Sequence, residues 1–569
     1  MNEKNKTLTT FEAIEYIRPD FAKIRVFYEE LTARVQSASS YEEVKACILD
    51  EETFSSSVNT MATVAQVRHT IDTSDPFYTE EDEYISRSYP EVMPYMQAFT
   101  LALLASPFKA QIDEEYGEQF LKTVKLGAES FSEKNVALMQ EENDLTNRYQ
   151  RLTAACKIPF DGEERNLYGI MKYFSDPDRE VRKEAVRLYA EFFEKNDKEM
   201  GEIFDRLVKI RHQMGVNMGF ENFVPLGYMQ QGRLDYGAKE VAAFRQQVLE
   251  EIVPFCEKLY KAQAKRIGVD KIRFYDEELI FSSGNAVPIG DRAYLVEKAR
   301  EMYRDMSKET GEFIDFMIKH ELMDLDNKPN KAATGYMTTL GDYKAPFVYS
   351  CFNGTTGDVD VLTHEMGHAF AAYMAMRTQP LQALWSEPTD IAEIHSMSME
   401  QFAYPYAELF FGEKADEYRF QHLQQAITFI PFGVAVDEFQ HIVYENPDMT
   451  PDERTQAWKD LEKKYMPWRD YDGNAFFERG GWWYHKLHIF HYPFYYINYT
   501  LTSMGAMEFK KKQAENKESA WKDYMTICRL GGSLGYLDTL RAANLAVPFE
   551  EGGVKRAVSY AIEILNKQL

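Results

Sequence analysis

Cysteine is scarce in this chain. There are five in 569 residues (Cys47, Cys156, Cys256, Cys351 and Cys528), and no two share a pairing or metal-ligand spacing. That argues against a disulfide scaffold, and an odd, sparse set fits a reducing compartment. Positive charge is also in deficit: 65 basic against 91 acidic residues give a formal charge of −26. Such a balance disfavours nucleic acid and anionic membrane surfaces as partners. No apolar run long enough to span a membrane is evident, so none is expected. The first residues, Met1 to Thr7, lack the apolar core of a signal peptide. Cytoplasmic residence is the resulting expectation. No internal repeat or low-complexity linker divides the chain. Histidine is rare too, 11 in all.

Two of those histidines stand four apart in His364-Glu365-Met366-Gly367-His368. At this chain's own residue frequencies, about 0.02 such matches arise by chance, so the pattern carries information. On a helix, residues four apart project from one face, and two imidazoles can then hold one Zn²⁺. Glu365 falls beside that ion, where it can meet a water. The bland alternative is a surface helix with two solvated histidines. Val361, Leu362, Met366, Ala369, Phe370 and Ala372 argue against it, because they mark a buried helix, where polar groups need partners.

A catalytic zinc needs a third protein ligand and one open position. The segment from Glu387 to Glu400 reads as a helix capped by Thr389 or Asp390 after Pro388. Glu393, Ser396, Met397 and Glu400 then share a face. Glu393 lies 25 residues beyond His368 (393 − 368). Spacing alone leaves Glu393 and His395 both open as the third ligand, and Glu400 is placed to orient a ligand histidine.

Further on, His488, His491, Tyr492, Tyr496 and Tyr499 lie in one aromatic stretch. Tyr492, Tyr496 and Tyr499 are spaced four and three, which predicts one helix face. The plain reading is an aromatic core stripe. Tyrosine hydroxyls and imidazoles are also good donors to an oxyanion. Arg479-Gly480-Gly481, just before, reads either as a mobile loop or as a simple turn.

These motifs resemble the thimet oligopeptidase family of zinc peptidases, and within it the oligoendopeptidase F branch. The resemblance rests on His-Glu-x-Gly-His with Gly367 in place, on Glu393 at the family distance, and on Ser396 three residues after it. Met397 stands where the thermolysin pattern has an aspartate. The resemblance implies one zinc ion held by His364, His368 and Glu393, with Glu365 as general base. It implies that Tyr496 and Tyr499, with either His488 or His491, bind the substrate carbonyl in the transition state. It implies a mainly α fold, with helical lobes enclosing a deep substrate channel and a small β-sheet beside the zinc helix. The strand read at Ala345 to Thr355 is expected either to offer its edge to a peptide or to form a core hairpin.

Elsewhere the periodicity is helical. Phe21, Ile24, Tyr28, Leu31 and Val35 form one stripe. Ser175-Asp176-Pro177 opens a helix with Val181, Ala185, Leu188 and Phe192 on one face, and a further helix runs through Ile203, Leu207 and Ile210. A breaker-rich stretch spans 281–291. The expected division is an N-terminal helical region at 1–200 and a catalytic region at 201–569. The expected function is zinc-dependent hydrolysis of internal bonds in short unstructured peptides. The alternatives are a zinc carboxypeptidase or dipeptidase, and a catalytically inactive peptide-binding scaffold.

Overall fold

The stripe Phe21, Ile24, Tyr28, Leu31 and Val35 is buried along the helix Phe21–Ser37, and Asp20 caps that helix by accepting from the Lys23 amide. This is the rule across the chain, which is mainly helical with two small sheets. A computed structural model describes residues 7–328, 330–332 and 334–569. The described chain gathers into two compact units, each assembled from three segments. One is Met1–Glu129, Val287–Ala415 and Phe509–Leu545; the other is Ser130–Ala286, Asp416–Glu508 and Ala546–Leu569. The breaker-rich stretch at 281–291 contains one of these crossings.

In the first unit, the helices Phe21–Ser37, Tyr41–Ile71 and Pro76–Leu104 share an apolar core. A three-stranded sheet lies in the same unit. Its inner strand, Ala345–Tyr349, pairs antiparallel with Tyr336–Leu340 (Met337 opposite Val348) and parallel with Met323–Asp324 (Met323 opposite Val348). All five inner-strand residues are buried, as an unbroken apolar run requires. The amides of Val348, Ser350 and Phe352 donate to the carbonyls of Leu322, Asp324 and Leu325. That side of the strand is therefore taken by the protein's own main chain, and the core-hairpin reading is the one that describes it. The strand ends in a turn where Asp358 accepts from the amides of Asn353 and Gly354, and the next helix begins at Thr356.

In the second unit, the two helices read from 175 to 210 are one, Arg179–Asn217, capped by Asp178. Its buried face is Ala185, Val186, Tyr189, Ala190 and Phe193, about one residue round from the stripe expected. Arg182 shares this face and turns inward to bind the buried Asp276 carboxylate at 2.6 Å. Gly480 and Gly481 form a packed turn, not a mobile loop. A Cβ on Gly480 would sit 2.4 Å from the Thr455 carbonyl oxygen, and one on Gly481 would sit 2.6 Å from the Phe476 ring. One stretch, Thr389–Glu445, bears on the membrane expectation without overturning it. It contains a window long and apolar enough to cross a bilayer by length and composition, and 67% of that window is buried inside the fold, as in a core helix.

Candidate active site

The histidine motif lies on the helix Thr356–Thr378, in the first unit. Leu362, Met366, Ala369 and Phe370 are fully buried on it, and Tyr303 donates to the Leu362 carbonyl at 2.8 Å. His364, Glu365 and His368 occupy its half-buried side. The helix Thr389–Ala403 packs beside it and carries Glu393, which is 6% exposed. This helix starts with Pro388 at the cap position and no side-chain cap, so neither Thr389 nor Asp390 caps it as expected. Proline's fixed φ and missing N–H suit a helix start without one.

The two helices meet at Gly367. A Cβ there would lie 2.7 Å from Ser396 Cα and 2.9 Å from Met399 Cβ, so only glycine allows this approach. The closeness brings three candidate ligand atoms together. Glu393 Oε2 stands 3.1 Å from His364 Nε2 and 3.4 Å from His368 Nε2. His364, His368 and Glu393 present one donor each, all within 4.8 Å of one another. Two donors bound at about 2.0–2.1 Å to a tetrahedral ion stand roughly 3.3 Å apart, so this set fits zinc.

The outer atoms of these side chains are held as well. Glu400 binds His364 Nδ1 at 2.6 Å, which leaves Nε2 to face the other ligands. Ser396 donates to Glu393 Oε2 at 3.0 Å. Burial alone would raise the Glu393 pKa, but the two imidazoles hold it well below the usual carboxylate range. Burial would likewise lower His364, yet Glu393 and Glu400 hold it well above its ordinary value. Glu365 makes no hydrogen bond or ion pair among the described residues, so its carboxylate is available. His395 lies outside the set. It is fully buried, with Nδ1 3.0 Å from Glu387 Oε1.

The aromatic stretch belongs to the second unit. Tyr492, Tyr496 and Tyr499 do not share a helix face. A short helix, Leu487–His491, ends at Tyr492, and the next, Ile497–Glu515, starts five residues on. Pro493 lacks the N–H to continue the helix, and Phe494 takes a left-handed φ of 62°. Tyr492 is left 50% exposed, whereas Tyr496 is only 5% exposed. Tyr496 and Tyr499 have ring centroids 5.4 Å apart, and the His488 ring lies 5.0 and 5.9 Å from them. His491 instead lies against Tyr149 and Tyr492, at 6.1 and 5.8 Å. Burial, aided by Lys486, pushes His488 down to about 4, so the imidazole is neutral at pH 7. Burial raises the Tyr496 pKa and keeps that phenol a hydrogen-bond donor.

Sequence reasoning missed the groups that hold this turn. Gln440 Oε1 accepts from the Phe494 amide at 2.8 Å. Arg233 donates to the Phe494 carbonyl and, at 3.0 Å, to Asn498 Oδ1. Gln231 donates to the Pro493 carbonyl at 3.0 Å. Gly227 makes room for the Phe494 ring, which a Cβ there would meet at 2.6 Å. No local pattern could reveal these contacts, since Arg233 and Phe494 are 261 residues apart.

A helix-borne His-Glu-x-x-His pair, completed by a glutamate from a second helix, defines a metallopeptidase. Residues 11–131 match the Peptidase M3 N-terminal domain and residues 307–558 match Peptidase family M3. The chain belongs to peptidase family M3 and is a metallo-endopeptidase. Among similar solved structures is PZ peptidase A with an inhibitor: 44% identical, covering 98% of this chain and 99% of that one, with a TM-score of 0.92. A proposed oligoendopeptidase F of Bacillus anthracis is 39% identical over 99% of both chains, with a TM-score of 0.88. An oligoendopeptidase F homolog of Borreliella burgdorferi is 20% identical over 445 residues, 74% of this chain and 73% of that protein.

Proposed function

We propose that this peptidase is a zinc oligoendopeptidase that cuts internal bonds of short, unstructured peptides. The observation that carries the reading is the convergence of His364, His368 and Glu393 donors at 3.1–3.4 Å, with the unpaired Glu365 carboxylate beside them. Relatives named oligoendopeptidase F, alike over nearly the whole chain, support the substrate class. On this reading the chemistry lies within 201–569, with 1–200 as an N-terminal helical region.

Zinc, held by His364, His368 and Glu393, would supply a Lewis acid for the scissile carbonyl and a water made acidic at neutral pH. Glu400 and Ser396 fix the imidazole and carboxylate that face it. Glu365 takes the proton from the attacking water and passes it to the leaving amine. Tyr499 and Tyr496, with His488 or His491, donate to the oxyanion as it develops. His488 is the histidine beside the tyrosine pair, and a neutral imidazole with one N–H suits that role. The net charge of −26 and five free cysteines fit a cytoplasmic enzyme acting on peptides, without nucleic acid or membrane partners.

Digestion of a peptide library blocked at both ends, read by mass spectrometry with and without chelator, tests this. Internal cuts that disappear with chelator and in Glu365→Gln, while the variant still binds zinc, are expected. Release of terminal residues only, and only from unblocked peptides, would make it a carboxypeptidase or dipeptidase. A zinc-loaded protein that cuts nothing would be a peptide-binding scaffold.

A further inference from the structure

One half-buried lysine in the second unit has no carboxylate partner among the described residues. Lys486 sits between the turn 481–485 and the helix Leu487–His491, and its half-buried side chain lies against the aromatic cluster. Its Nζ lies 4.6 Å from the centre of the Tyr496 ring and 5.7 Å from that of Phe432. No carboxylate among the described residues stands within ion-pair distance of it. The neighbouring His488 and His485 rings are held neutral by burial and offset none of its charge. Arg182, Arg245 and Arg469 in this unit pair with Asp276, Asp437 and Glu277, and Arg266 donates to the Ile280 carbonyl and to Gln424 Oε1, whereas Lys486 has ring faces alone among the described residues. Ring faces compensate only part of the loss of water around an ammonium. An anionic ligand would complete the compensation.

We propose that Lys486 is a specificity-determining residue that binds a carboxylate of the peptide substrate beside Tyr496. This rests on the peptidase reading and on the tyrosine pair as part of its machinery, and it names the substrate feature the site selects. The carboxylates a peptide offers are its free C-terminus and its aspartate or glutamate side chains. The chain's overall charge of −26 repels both, so a preference for them must come from a local cation. Burial also lowers the lysine to about 8, which leaves it largely protonated near neutrality and strengthened by an incoming anion.

The test compares internally quenched peptides of one sequence, all N-terminally blocked: a free acid, its C-terminal amide, and amide pairs differing only by Asp against Asn. Wild type, Lys486→Gln and Lys486→Arg are assayed on each. Wild type should favour one carboxylate-bearing peptide over its neutral twin by about tenfold in kcat/KM, mostly through KM, the scale of one charge-assisted hydrogen bond. The arm that gains identifies the source, C-terminus or side chain. The ratio should fall to near one in Lys486→Gln and persist in Lys486→Arg. A wild-type ratio near one in every arm would overturn the proposal. So would a Lys486→Gln variant that slows both twins equally, since Lys486 would then act on the reacting atoms or on the fold. Cleavage of the neutral twin reports the peptidase reading separately. If neither twin is cut, anisotropy of the labelled peptides reads the same ratio as binding.

Discussion

Gly367→Ala separates the geometry of the site from the stability of the fold. The added Cβ would begin 2.7 Å from Ser396 Cα, 2.9 Å from Met399 Cβ and 3.1 Å from the His395 carbonyl oxygen. Carbon atoms rest comfortably at about 3.5–4.0 Å, so the helix Thr389–Ala403 must retreat by roughly 1 Å. Overpacking of this kind costs about 1–3 kcal/mol, and alanine returns up to about 1 kcal/mol through helix propensity. The net loss of stability is therefore small. The effect on the metal is not, because Glu393 rides on the retreating helix, while His364 and His368 stay on the other. Metal–ligand distances tolerate shifts of only about 0.2 Å. Zinc affinity, measured by competition with a chromophoric chelator, should fall at least tenfold, a loss like that from disturbing supporting groups. Thermal unfolding of the metal-free protein should shift by only a few degrees. A Gly367→Ala protein that binds zinc within twofold of wild type would refute the reasoning, for the close helix approach would then not set the ligand geometry.

Other outcomes follow from the same contacts. Glu400→Gln removes the carboxylate 2.6 Å from His364 Nδ1 and should weaken zinc binding about 10- to 100-fold by the same chelator competition, with the fold unchanged by circular dichroism. Tyr499→Phe should lower kcat more than it raises KM; a change in KM alone would remove its oxyanion role. The His488 imidazole, followed by NMR, should stay neutral down to about pH 5, and a midpoint near 6.5 would contradict its burial. Its folded pKa lies below its unfolded one, so the unfolded chain binds the proton first. The associated stability, about 3 kcal/mol, is present above pH 6.5 and lost as the pH falls toward 4.

The cluster of candidate ligand residues was legible because helical periodicity fixes side-chain direction over short spans. His364, His368, Glu393, Ser396 and Glu400 lie on two helices that the sequence marks by apolar flanks and a proline start. The choice of Glu393 over His395 needed more than spacing. The structure separates them by face, since His395 points to Glu387 and the core. The tyrosine face was misread because periodicity assumes an unbroken helix, and Pro493 and Phe494 break it. The strand edge was left open between two readings because its partner, Met323–Asp324, is only two residues long and carries no strand signal of its own. Arg233, Gln440 and Gly227 were invisible, as they act on Phe494 from distant parts of the chain. The two interleaved units leave no compositional mark, because two of their boundaries, 415–416 and 508–509, fall inside ordinary helical sequence.

Zinc titration of the chelator-stripped protein tests the central claim most directly. One ion should bind per chain, and binding should collapse in His364→Ala, His368→Ala and Glu393→Ala, each measured separately. A protein that takes up no zinc, or that binds it equally well without the Glu393 carboxylate, would contradict the account.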